Sequence, residues 1–158
     1  MDGSNQIVLA NLSNIGQTIV DVVLDQPGNR LFFSDQSNNV IRYIDLSSME
    51  VHTLLSGNLH HPTGLTMLNN TLYWTAQGDG GFSGTIFKAE ATNGSTAHMV
   101  TDGFWNPYGI YAHNSRTPQT PGNAPKMRLI LVYCGVKWGG GAEMNANHIL
   151  ISFSYLTL

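Results

Sequence analysis

The sequence predicts an all-β protein of the propeller kind, with about two full four-stranded blades and parts of others. Two observations carry that prediction. Short apolar runs return in the same order at a nearly fixed period, and residues that bend the chain separate them. Leu31-Phe32-Phe33-Ser34-Asp35 returns as Leu72-Tyr73-Trp74-Thr75-Ala76, an offset of 41. Ile41 with Asp45 returns as Ile86 with Glu90, and His61-Pro62-Thr63-Gly64-Leu65 as Asn106-Pro107-Tyr108-Gly109-Ile110, both offset by 45. A period of ~40–45 residues holding four short strands is what one blade requires. An all-β sandwich would also space strands evenly, but it needs no motif at one fixed period.

Residues 20–24 and 63–67 are short and apolar, suited to an innermost strand beside a central channel. Residues 30–34 and 71–75 carry large side chains at successive positions, as a strand covered on both faces allows. Residues 40–45 and 85–90 alternate more clearly and are predicted further out. Residues 51–55 and 97–100 finish each blade at its rim. Turn formers stand between them: Pro27-Gly28-Asn29, Ser37-Asn38-Asn39, Asn69-Asn70 and Asn93-Gly94.

Composition bounds the function classes. Of 158 residues, 42% are hydrophobic and 11% charged, with a formal charge of −3. The few Lys and Arg are scattered singly, which argues against tracking a phosphate backbone, so no nucleic-acid partner is expected. Cys134 stands alone, so neither an internal disulfide nor a cysteine zinc site is expected. The opening residues Met1-Asp2-Gly3-Ser4-Asn5 lack the basic start and apolar run of a signal peptide. The apolar stretches at 129–134 and 149–158 are shorter than the ~20 residues that span a bilayer, so no direct membrane insertion is expected.

Here the motifs resemble a known family. Phe32-Phe33-Ser34-Asp35 and Tyr73-Trp74-Thr75-Ala76 look like variants of the YWTD signature of low-density lipoprotein (LDL) receptor class B repeats. Asp25 stands where that family places an aspartate before the motif, and His61-Pro62-Thr63-Gly64-Leu65 resembles its HPxGL opening of a blade. The resemblance covers about residues 1–122. It implies an incomplete six-bladed propeller from an LDL-receptor-related receptor, on the extracellular side of the plasma membrane. The implied function is docking of extracellular protein ligands, endocytic or signalling, as in a Wnt-type co-receptor. A structural matrix propeller of the nidogen type shares the repeat and is the first alternative. A propeller hydrolase or lyase is the remote one, since fold does not fix function.

The sequence departs from the family pattern in several places. Ala76 replaces the aspartate of the signature, and Met67 stands near the place of Asp25. The loop at 77–84 is longer than its counterpart at 36–39. Residues 107–119 resemble the family's closing segment, yet no cysteine-rich module follows. The expected organisation is a propeller part at 1–113, a Pro-rich linker at 114–126 and an unmatched tail at 127–158 with two strands. The start at a mid-blade corner and the unmatched tail read as a partial gene product with an alternative exon. The other reading is a divergent tail that caps an open edge.

No catalytic constellation emerges, and neither a metal nor a cofactor is expected. His60 and His61 are adjacent, and neighbours in a strand point to opposite faces, which makes a poor chelate. Imidazoles can titrate near endosomal pH, but no motif assigns that role to His52, His60, His98 or His113. Asn11, Asn69 and Asn93 begin Asn-x-Ser/Thr sequons, an abundance that chance nearly supplies. For ligand docking the candidates are Trp105, Phe82, His60 and Asn106. In a four-stranded blade their loops emerge on one face, and exposed aromatics are enriched among binding hot spots.

Overall fold

The computed structural model describes residues 6–12, 18–78, 84–92, 96–114, 128–134 and 149–153. Four strands form the first antiparallel sheet: β1 (Ile19–Asp25), β2 (Arg30–Asp35), β3 (Val40–Asp45) and β4 (Val51–Leu55). A second sheet of the same order holds β5 (Pro62–Leu68), β6 (Thr71–Ala76), β7 (Gly84–Glu90) and β8 (His98–Phe104). In the third, β9 (Pro107–Asn114) pairs with β10 (Arg128–Cys134), which pairs with β11 (Ile149–Phe153). The molecule is all-β, a partial β-propeller whose first two sheets are meandering blades.

Local chemistry sets the turns. Asn29, Asn39 and Asn69 hold φ of 51°, 56° and 55°. Asparagine enters that left-handed region more readily than branched residues do. Asp35 ends β2 and accepts from the Asn38 backbone N–H at 3.2 Å and its side-chain amide at 2.9 Å. At the β3–β4 turn Asp45 accepts from the N–H groups of Ser47 (2.8 Å) and Ser48 (3.2 Å). Those donors favour its ionised form and hold its carboxyl below the usual range.

Packing explains why the motif is large at successive positions. Phe32, Ile41, Leu55 and Leu59 of the first blade share a core with Leu65, Leu72, Trp74 and Ala89 of the second. Tyr73, Ile86 and Leu68 share another with Ile110 and Ala112 of β9. So Trp74 faces the blade before it and Tyr73 the sheet after it. Both are buried, as are Phe32 and Phe33. The clear alternation expected in the third strands is not there, because β3 and β7 also bury consecutive residues. The rim strand expected at 97–100 runs on to Phe104. Register also moves one assignment: Asp25 pairs with Arg30 as Leu68 pairs with Thr71, so Leu68 rather than Met67 takes the Asp25 position.

The inner strands are joined by hydroxyls. In the first blade the Asp21 N–H donates to Ser34 Oγ (3.1 Å), and Ser34 Oγ donates to the Thr63 carbonyl of the next blade (2.6 Å). In the second, the Gly64 N–H donates to Thr75 Oγ1 (3.0 Å). Thr75 Oγ1 lies 2.9 Å from Thr63 Oγ1, which donates to the Pro107 carbonyl at 2.9 Å. With that proton spent, Thr75 supplies the hydrogen between the two hydroxyls. The third motif position therefore carries Ser or Thr because a buried hydroxyl there accepts an N–H of the innermost strand; Ser34 also reaches the next sheet directly, and Thr75 does so through Thr63. Gly64 has no room for a side chain: a Cβ would lie 2.8 Å from Gly109 Cα and 2.9 Å from the Tyr108 oxygen.

Equivalent positions differ in exposure along the stack. Val22, Leu65 and Ile110 occupy one position in β1, β5 and β9. Leu65 and Ile110 are buried against the preceding sheet, whereas Val22 is 53% exposed. Leu24, the equivalent of the core-packed Met67, is 54% exposed. One flank of the first blade is thus apolar and open.

Candidate functional site

The connection from β4 to β5 and the loops after β2 and β6 come together at one face. Asn39 is the staple: its amide donates to the Gly57 carbonyl (2.8 Å), and its Oδ1 accepts the His61 N–H (2.9 Å). The N–H groups of Gln77 and Gly78 reach the carbonyls of His61 (3.2 Å) and His60 (3.1 Å). Gln36 and Gln77 join the neighbouring loops through their side-chain amides at 2.8 Å. Polar groups on three loops thus fix this surface without a ligand.

His60 and His61 precede β5 rather than lying in it, and both have positive φ, 55° and 60°. The expectation that they alternate as strand neighbours is therefore replaced. Such φ values are uncommon outside glycine, and a strained pair is held here by the Asn39 and Gln77 contacts to His61 and the Gly78 contact to His60. The His60 ring is exposed and nearly parallel to Phe87, with centroids 6.1 Å apart. Phe87 in turn stacks on Trp74 at 5.6 Å, so three rings run from this face into the core. Trp74 Nε1 is buried and has no hydrogen-bond partner among the described residues.

Trp105 and Asn106 stand before β9 as His60 and His61 stand before β5. Asn106 is exposed with φ 42°, and Trp105 is half-buried and engaged with neighbouring groups. Phe82 and Asn93 lie outside the described residues. Asn11 and Asn69 are exposed. Asn39, Gln36 and Gln77 were missed as site residues in the sequence, where they read only as turn and loop formers. The shared Gln at the head of both loops was the available signal.

The acids near the inner strands are committed elsewhere. Asp21 accepts the Leu65 N–H of the next blade at 2.8 Å. Asp25 pairs with Arg30 at 2.6 Å, and Arg30 also donates to the Ala91 carbonyl of the second blade at 2.7 Å. Asp35 pairs with Arg42 at 3.4 Å. Among the described residues no group of three or more His, Cys, Asp or Glu is placed to hold a metal ion. No helix among them is long and apolar enough to cross a membrane.

With two stacked meander blades and the repeated aromatic–aromatic–hydroxyl motif in place, the protein class follows. Residues 29–67 match the family model for the low-density lipoprotein receptor repeat class B. Residues 29–67 thus carry one class B (YWTD) repeat, on a partial β-propeller. The matched unit runs from β2 to within β5, so one sequence repeat spans parts of two blades. Human low-density lipoprotein receptor-related protein 5 is 31% identical over 75 residues, which is 48% of this chain and 4% of that protein. Mouse low-density lipoprotein receptor-related protein 4 is 33% identical over 79 residues, 50% of this chain and 4% of that protein. The chain thus matches only a small part of these relatives. A chain in the crystal structure of a nidogen/laminin complex superposes with a TM-score of 0.55 at 18% identity, covering 61% of this chain and 37% of that one. At that identity the likeness is one of fold.

Proposed function

We propose that this chain is part of an extracellular propeller of a cell-surface receptor, and that it docks a protein ligand through the face around His60, Asn106 and Trp105. The receptor is of the endocytic or signalling kind. The single observation that carries this reading is the prebuilt face: strained His61 is held by bonds to Asn39 and Gln77, and strained His60 by the Gly78 N–H. A ligand meeting such a surface spends little on ordering it. Residues 1–113 form the propeller unit in this reading, 114–126 the linker, and β10 and β11 of the tail extend its last sheet. The module binds rather than catalyses, since Asp21, Asp25 and Asp35 already serve backbone or arginine partners. The relatives, low-density lipoprotein receptor-related proteins 5 and 4, favour a receptor over a nidogen-type matrix protein, whose likeness is of fold alone.

The test is a binding screen of the intact parent ectodomain against a panel of secreted proteins, with His60→Ala, Trp105→Ala and Phe82→Ala beside the wild type. A captured partner lost in these variants, with secretion and melting unchanged, supports the face. Capture that survives all three substitutions overturns it.

A further inference from the structure

We propose that Asn69 is an N-glycosylation site, and that its glycan projects from the end of the second blade opposite the docking face. The inference rests on the extracellular reading above. By sequence two of the three sequons, at Asn69 and Asn93, fall in turns, and the structure describes the first of them. Asn69-Asn70-Thr71 forms the two-residue turn between β5 and β6 and the first residue of β6. Asn69 is exposed with φ 55°, the conformation a tight hairpin turn needs.

Within that tripeptide, the structural work falls on the middle residue. The Asn70 amide donates to Thr92 Oγ1 at 3.4 Å, and its carbonyl accepts the Ala91 N–H at 3.0 Å. Neither the Asn69 amide nor the Thr71 hydroxyl is held by another described residue. Those are the two groups a glycosylating enzyme reads in a sequon. Asn11, by contrast, is exposed but already engaged. Asn93 lies outside the described residues.

The donor is a lipid-linked oligosaccharyl diphosphate. The Asn69 amide nitrogen bonds to the anomeric carbon, the carbon–oxygen bond to the diphosphate breaks, and the lipid diphosphate leaves with the electron pair. The amide gives one proton to an enzyme base. Nothing is oxidised or reduced. Because β5 runs from the His60 end to the Asn69 end, the added bulk lies a strand's length from the loops that would meet a ligand. A sugar there shields the turn and leaves docking open.

The test expresses the full chain behind a cleavable secretory leader, with a tag at its far end that carries an independent sequon. Peptide mapping after glycosidase treatment reads both sites, since release of the glycan converts the modified Asn to Asp. Occupancy is expected at the tag and at Asn69, and its loss at Asn69 alone in Asn69→Gly and Thr71→Val. Glycine keeps the positive φ, and valine keeps the branched strand residue. A glycosylated tag beside a bare Asn69 peptide overturns the site and leaves the extracellular reading standing. That reading is tested apart, by surface labelling of the native protein on intact cells. Exclusion from the surface and the secretory pathway would remove the reading and the site together.

Discussion

Arg42 and Phe87 occupy the same position in successive blades, paired across the sheet with Phe33 and Trp74 respectively. Arg42 serves the carboxylate of Asp35, and where Phe87 stands the aspartate is replaced by Ala76. Charge and partner are exchanged together. The second blade therefore lacks no half of a pair: it has an aromatic stack of Phe87 on Trp74 where the first has an ion pair.

Asp35→Ala should accordingly destabilise the protein by about 1–3 kcal/mol, because the half-buried Arg42 and the turn at Asn38 lose a buried, charged acceptor. Adding Arg42→Phe should recover part of that loss, since it copies the apolar pair of the second blade. Thermal midpoints of the two singles and the double form the cycle that measures the coupling. Strict additivity would show that the exchange of both residues is incidental.

Thr75 offers a sharper chemical contrast. Thr75→Val keeps the shape but leaves the Gly64 N–H without its acceptor in a buried place, at a cost of about 1–3 kcal/mol. Thr75→Ser should cost far less, because Ser34 does the same work in the first blade. Chemical denaturation of both variants gives the comparison, and equal loss would mean that packing of the methyl group, not the hydroxyl, decides.

Removing the Trp74 side chain should cost roughly 3–5 kcal/mol, a large share of a marginal domain's stability. It is fully buried between blades and supports Phe87. Trp74→Phe should be milder still than its lost volume suggests, as the indole Nε1 makes no bond that would be missed. Thermal unfolding of the intact parent ectodomain checks both, and an unchanged midpoint in Trp74→Ala would refute the burial.

The open flank predicts behaviour in solution. Val22 and Leu24 stand 53% and 54% exposed where their equivalents in the next blade are packed. Contiguous apolar surface of this kind drives association. The full chain should elute from size exclusion above its monomer mass, and Val22→Lys with Leu24→Lys should shift it down. A wild-type monomer at high concentration would contradict the prediction.

Much of the fold was legible because repetition amplifies a weak signal. One run such as residues 30–34 could be any buried strand, but its return at 71–75 in the same order fixes both. The site was less legible. Nothing in His60-His61 announces left-handed backbone, because its partners, Asn39, Gln77 and Gly78, are distant in sequence. The third strands misled for a related reason: polar Arg42 and Lys88 look like an outer face, yet neighbouring blades cover most of the strand around them. Trp105 read as spare for the core, yet it is half-buried and engaged.

The hydroxyl links through Thr63 also dictate the order in which the molecule comes apart. Thr63 receives a hydrogen from the first blade through its carbonyl and gives one to the third sheet through its side chain. Parting the sheets at that residue strands polar groups in all three at once, whereas β8 at the rim can fray with little loss. Opening should therefore travel inward from the rim, with the Gly64 and Leu65 amides among the last to exchange with solvent. The innermost strands then act as a weld, and a thermal fluctuation strong enough to free one blade has already loosened its neighbours.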